Sequence, residues 1–226
     1  MRYVVRTPTL VCGLPHHSGV PSVCGSSNRP DAGHACTGLC LQQTSCPSNG
    51  TTSISGKVYA PNGTDPLYNA LVYVPNGPVA AFTPGVACLT CESQISGSPL
   101  VATNTGSDGS FTLTNMPVGQ NIPLVIQLGR WRRQVTVDNV PACANTPVPA
   151  SKTRLPRNQS EGDIPLMAMV TGSVDALECV LRKIGLDDSE FGNPGGQNRV
   201  QFYTAPTESS GSPVVRSLSR TSARRT

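Results

Sequence analysis

Charged and aromatic side chains are both scarce in this chain of 226 residues: Asp, Glu, Lys and Arg make up 13% and Phe, Trp and Tyr 4%. A core built with so few rings has to be aliphatic and modest in size. The histidines are confined to His16, His17 and His34, so no cysteine downstream can be matched with a later histidine to form a nucleophile–base pair. No apolar run reaches the roughly 20 residues of a membrane-spanning helix. None of signal-peptide length follows Met1-Arg2-Tyr3-Val4-Val5-Arg6, and Val11 before Cys12 is too bulky for a lipoprotein cleavage site. An export signal is therefore not contained in this chain. A glycine-rich loop with a Walker lysine is missing as well, and Thr171-Gly172-Ser173 reads as a capping turn rather than an anion cradle.

Turn formers and cysteine are plentiful instead. Gly 22 and Pro 21 describe a loop-rich chain, short of the level that implies low-complexity disorder. Nine cysteines are many for a cytosolic protein of this size. Cys12, Cys24, Cys36, Cys40 and Cys46 crowd the first 50 residues, Cys88 and Cys91 share one loop, and Cys143 and Cys179 stand apart. Cys88-Leu-Thr-Cys91 has the spacing of a zinc knuckle, but a second such pair is missing. It also lacks the helix start that a redox Cys-x-x-Cys opens. Disulfides are the favoured reading for Cys36, Cys40, Cys46, Cys88, Cys91 and Cys143, with metal and free thiols as the alternatives. No metal or cofactor is expected. The odd count leaves at least one thiol unpaired or intermolecular.

Residues 51–143 carry strand-length apolar runs bounded by turns. Pro61-Asn62-Gly63, Pro75-Asn76-Gly77 and Ser107-Asp108-Gly109 each set a glycine after a side chain that bonds its own backbone. Ile54, Gly56 and Val58 alternate with polar neighbours, as do Phe111 and Leu113, the period of two of a sheet with one buried face. Pro123-Leu-Val-Ile-Gln-Leu128 is apolar on both faces until Gln127, which predicts a central strand. Gly129 turns the chain into Arg130-Trp131-Arg132-Arg133, a basic hairpin expected to lie in solvent with arginine stems covering Trp131. Six short strands without helical spacing predict a β-sandwich, with Val58, Val72, Phe111, Leu124 and Ile126 in its core.

Gly56 and Val58, then Ala70, Val72 and Val74, then Asp108, Gly109 and Phe111 form a pattern that resembles the carboxypeptidase regulatory-like domain, a transthyretin-like, Ig-like β-sandwich. The resemblance covers somewhat more than a third of the chain. The cysteine-rich flank from Cys36 to Cys46 and the stretch from Gly162 to Cys179 are similar to large bacterial envelope proteins that carry this module. The resemblance implies a non-catalytic binding or scaffolding role, outside the cell or at its envelope, with protein or carbohydrate as partner. Fold alone does not deliver function.

The remaining segments are expected to be simpler. Residues 1–50 read as an irregular, cysteine-rich leader, and 144–162, rich in Pro, Asn and Arg, as a linker. Residues 163–203 read as the start of an α/β domain, cut short. There a strand at Leu166–Val170 precedes a helix with Val174, Leu177, Leu181 and Ile184 on one stripe and Gly185 as its stop. The span is too short for a parallel sheet with crossovers. Asp187, Asp188 and Glu190 lack the loop spacing of an EF-hand and read as a solvated turn. The tail, 204–226, reads as disordered. It holds Arg216, Arg220, Arg224 and Arg225 against Glu208 and so carries +3 of the net charge of +4. The body is nearly neutral, which argues against nucleic acid as a partner. Candidate surface contacts are Arg130, Trp131, Arg132 and Arg133 at the hairpin, and the loop Ala80 to Ser98. The runner-up is the accessory sandwich of a secreted enzyme whose catalytic domain begins near Ile164.

Overall fold

The computed structural model describes residues 36–84, 95–171 and 177–204. They hold strands β1 (Ser53–Lys57), β2 (Leu71–Pro75), β3 (Pro99–Asn104), β4 (Ser110–Thr114), β5 (Gly119–Leu128), β6 (Trp131–Val140) and β7 (Asn145–Pro147). A short helix α1 (Ala150–Thr153) follows, then β8 (Met167–Thr171), α2 (Leu177–Lys183), β9 (Phe191–Gly192) and β10 (Val200–Thr204). One sheet has the order β3-β2-β5-β6 and a second the order β4-β1-β7. Their facing sides meet in one core: Ile54, Phe111 and Leu113 from the second sheet contact the cluster of Val72, Val74, Leu124, Ile126 and Val137 from the first. The chain is thus mainly β and its principal body is a sandwich.

Alternation explains which side chains turn inward. In β4, Phe111 and Leu113 are buried between exposed Thr112 and Thr114. All five residues predicted for the core, Val58, Val72, Phe111, Leu124 and Ile126, are 5% exposed or less. Each such side chain contributes about 1.5–3 kcal/mol by leaving water. The turns are equally local in origin. Gly109 has φ of 76° and a Cβ there would meet the Val58 carbonyl at 2.8 Å, so the turn requires glycine, while the Asp108 carboxylate accepts from Ser110 N and Oγ. Gly129 and Arg130 alone join β5 to β6, with Leu128 opposite Trp131.

The segment 144–162 is not a linker. Its strand β7 runs parallel to β1, Ser53 opposite Asn145. Val148 N donates to Ser55 O, Leu155 N to Tyr59 O and Thr153 Oγ1 to Lys57 O. Val148 and Leu155 are 6% and 1% exposed inside the same core. The prolines that suggested a linker suit an edge strand, where a missing N–H faces away from the ladder. A disulfide between Cys46 and Cys143, 97 residues apart, fastens the start of this segment, and a second links Cys36 to Cys40. Both use cysteines expected to pair. Cys88 and Cys91 lie outside the described residues, as do 1–35, most of the loop Ala80 to Ser98, and the tail after 204.

The expectation that 163–203 is too short for a parallel sheet is also corrected. β8 and β9 both pair with β10 in parallel, Val200 opposite Met167 and Phe191. Two residues suffice for β9, so the crossovers fit. Ile164, Leu186 and Val200 form a second core joined by Met167, Met169, Phe191 and Phe202, and Trp131 touches this core and that of the sandwich. Gly185, predicted to stop α2, does so with φ of 96°. Its missing Cβ lets Asn62 come close enough for Asn62 N to donate to Ile184 O at 2.7 Å.

Replacing Phe111 by Ala is expected to cost about 3–5 kcal/mol, and Leu155 by Ala about 2–5 kcal/mol, through lost burial and the cavity left behind. Denaturant melts of the whole chain read both numbers. An unchanged midpoint for Leu155→Ala would return 144–162 to the status of a linker.

Candidate functional site

Strand alternation splits the basic hairpin. Trp131, Arg133, Val135 and Val137 fall on one face of β6 and Arg132 on the other, so the four residues cannot share one exposed surface. Arg132 is only 3% exposed. Its Nε and Nη2 both donate to Asp163 Oδ2, at 2.9 and 2.8 Å. The two backbones are bridged too, Arg132 N to Asp163 O at 3.0 Å and Asp163 N to Arg132 O at 2.8 Å. The guanidinium carbon sits 4.1 Å from the centre of the Phe82 ring. Arg132 Nη1 reaches Ser96 Oγ at 3.4 Å. Beneath lies Tyr73, fully buried on the outer side of β2, its hydroxyl facing Ser96 and Arg132. Burial raises the Tyr73 phenol above its ordinary pKa, and the Arg132 charge opposes the rise.

The expected solvated hairpin with arginine stems over Trp131 is therefore corrected. Trp131 is half-buried and its Nε1 donates to Pro156 O at 3.3 Å. Arg133 is half-buried as well, with Nη1 donating to Ser151 O and Arg154 O at 2.9 and 3.2 Å. Burial, and then the Arg154 charge, lower its pKa. Arg130 remains at the rim. It donates to Thr83 O and stands 5.3 Å from the Phe82 ring. The connection from β2 to β3 is closed at its base, where Asn76 N and Gly77 N both donate to Gly97 O at 2.9 Å. Its described parts, 76–84 and 95–98, lie against the hairpin through Phe82, Thr83 and Ser96. Phe82 and Asp163 carried no periodic signal in the sequence. The only local sign of Asp163 is the preceding Gly162, whose missing Cβ admits the Arg132 carbonyl.

A second polar cluster joins the sandwich to the parallel sheet. Arg154 grips Glu161 with both terminal nitrogens, each at 2.6 Å, and Arg157 N donates to the same carboxylate at 2.8 Å. The Arg154 bond is the main cause that holds Glu161 down at about 2, and the same bond raises Arg154. Of the acidic turn expected in solvent, Asp188 is exposed, whereas Asp187 and Glu190 are docking residues. Glu190 is 3% exposed and accepts from Gln159 N and Nε2 at 2.8 and 2.9 Å. Asp187 accepts from Asn158 and pairs with Arg157 at 3.2 Å. Among the described residues no three His, Cys, Asp or Glu side chains are placed to hold a metal ion. Cys179 is an exposed free thiol on α2. No helix among the described residues is long and apolar enough to cross a membrane.

No family model matches this chain, and no curated protein matches it. Among solved structures, a chain from a mutant type II cohesin–X–dockerin complex of Acetivibrio cellulolyticus is 13% identical over 63% of this chain and 75% of that one, with a TM-score of 0.27. A second mutant of that complex gives 15% identity over 60% and 85%, with a TM-score of 0.30. The dioxygenase domain of a dioxygenase–carbohydrate-binding fusion from Streptomyces sp. SirexAA-E gives 14% over 71% and 81%, with a TM-score of 0.20. Superpositions this loose carry nothing from those proteins to this one.

The Glu161 pair sets a pH dependence. A carboxylate whose pKa falls on folding stabilises the native state above its unfolded value, about 4.5, and loses that contribution as pH drops towards 2. Glu161→Gln is expected to cost about 1–3 kcal/mol at neutral pH and to flatten the loss below pH 4.5. Denaturant midpoints at neutral pH, pH 4.5 and pH 2.5 test it. Equal acid sensitivity in parent and variant would remove the pair from the account.

Proposed function

We propose that this chain is a non-catalytic binding or scaffolding module of an exported, cell-envelope protein, its sandwich a carboxypeptidase regulatory-like domain. Two disulfides within the described residues, Cys36–Cys40 and Cys46–Cys143, fit an oxidising compartment. The observation that carries the binding role is the seating of the β2–β3 connection on the β5–β6 hairpin, Phe82 against the guanidinium groups of Arg130 and Arg132. Loops held in one conformation by a rigid sheet are where binding residues are commonly carried. The carboxylates described above are engaged: Asp163 and Glu161 by arginine, Asp187 by arginine and amide, and Glu190 by amide. In this reading they position the loops, and the partner is a protein or carbohydrate of the cell surface met by Phe82, Arg130 and their neighbours.

One observation favours the second reading, an accessory sandwich of a secreted enzyme. Parallel sheets are ordinarily covered on both faces, yet Val170 on β8 and Leu166 just before it are 59% and 63% exposed. A larger α/β domain would cover such a face.

Binding of the oxidised whole chain to purified cell-wall polysaccharide and to a surface-protein fraction distinguishes the readings. Phe82→Ala and Arg130→Ala are each expected to weaken capture about tenfold, equivalent to 1.4 kcal/mol, with the melt unchanged for Arg130→Ala. Capture that is indifferent to both substitutions would displace the site, and turnover of a substrate by the purified chain would overturn the non-catalytic reading.

A further inference from the structure

The edges of the two sandwich sheets are not alike. On β6, the outer edge is occupied where Arg132 and Asp163 bridge through their backbones, and Lys152 Nζ reaches Thr136 O at 2.9 Å. β7 is only three residues long and ends in Pro147. On β4, the Ser110 carbonyl is taken by Gly106 N at 2.8 Å. β3 is the exception. It ends the order β3-β2-β5-β6, and among the described residues no bond is made on its outer side.

The register tells which groups face outward there. Thr105 N donates to Ala70 O at 2.9 Å, continuing the pairing of Leu71 with Asn104, Val72 with Thr103, Tyr73 with Ala102 and Val74 with Val101. Antiparallel ladders alternate bonded and non-bonded pairs, so Thr103 and Val101 bond β2. Ala102 and Asn104 therefore turn their N–H and C=O groups to the open edge, with Leu100 beside them at the register shift. Such a row is a template for pairing with an extended chain.

We propose that the occupant of this edge is β3 of a second copy of this chain, antiparallel about a two-fold axis through Ala102. The strand is self-complementary. From Ile95 to Gly106 no residue is charged, so two copies approach without like-charge repulsion. The smallest side chain of β3, Ala102, stands at the axis, opposite its own copy. Leu100 then lies opposite the partner's Asn104, and Ala102 exchanges both backbone bonds with the partner's Ala102. A closed two-fold contact of this kind stops at the dimer. Edges of natural sheets are commonly blunted by Lys, Pro or bulges; here Pro99 and the register shift at Val74/Pro75 confine pairing to Leu100–Asn104.

Light scattering of the whole oxidised chain at roughly 100 μM, where a complex of micromolar Kd is assembled, is expected to give twice the monomer mass. Ala102→Pro removes an N–H that the fold does not use, and Ala102→Lys sets like charges at the axis. Each is expected to weaken dimerisation at least tenfold. The lysine variant, which leaves the backbone N–H in place, guards against a folding defect of the proline variant. A monomer at that concentration, or a dimer indifferent to both variants, overturns the proposal. So does a monomer that binds a synthetic 99–105 peptide without self-associating, which would give the edge to a foreign strand.

Discussion

The buried guanidinium of Arg132 is the constraint on which the arrangement of this protein depends. A charge removed from water costs several kcal/mol unless it is paired and hydrogen-bonded. Gly129 and Arg130 fix the hairpin, and strand alternation then sends Arg132 to the outer face of the sheet. Asp163 has to be there to meet it, which ties the chain after α1 to β6. Phe82 covers the guanidinium face and so brings the β2–β3 connection over Tyr73. One side chain thereby orients a loop, a sheet edge and the entry into β8.

The same pair links the two cores. Beyond Asp163 the chain passes Ile164 into the parallel sheet, and Trp131, next to Arg132, touches both hydrophobic clusters. The Arg154–Glu161 and Gln159–Glu190 contacts repeat the pattern on the other side of the junction. Ion pairs of this sort add little net stability compared with well-packed apolar groups, but removing one partner is expensive. Their contribution is to specify how sandwich and sheet fit together, while the aliphatic cores and the 97-residue disulfide loop supply the stability.

Much of the sandwich was legible in the sequence because its causes are local. Alternation of Val, Ile and Phe with polar residues marked the buried face. Asn62-Gly63, Asp108-Gly109 and Gly129 marked turns, and Gly185 the end of α2. The errors share a different origin. Proline-rich 144–162 resembled a linker since pairing of β7 with β1 depends on a partner some 90 residues away, as in the Ser53–Asn145 bond. β9, at two residues, is too short for any periodic signal. Arg132 reads as a solvent-exposed residue until the position of Asp163 is known, so the sequence predicts a solvated basic hairpin with Trp131 under arginine stems, where Arg132 is buried and Trp131 and Arg133 are half-buried. Phe82, a lone ring in a loop, gave no pattern to find.

Hydrogen exchange on the whole chain carrying Asp163→Ala tests the central role of the Arg132 pair most directly. Asp163 is 40% exposed, so the loss is expected near 2–4 kcal/mol, at or below the range for a fully buried pair. Protection is expected to fall together at the β2–β3 connection near Ser96, at β6 near Arg132 and at β8, with β1 and β4 least affected. A variant that keeps native protection at all three places would contradict the account.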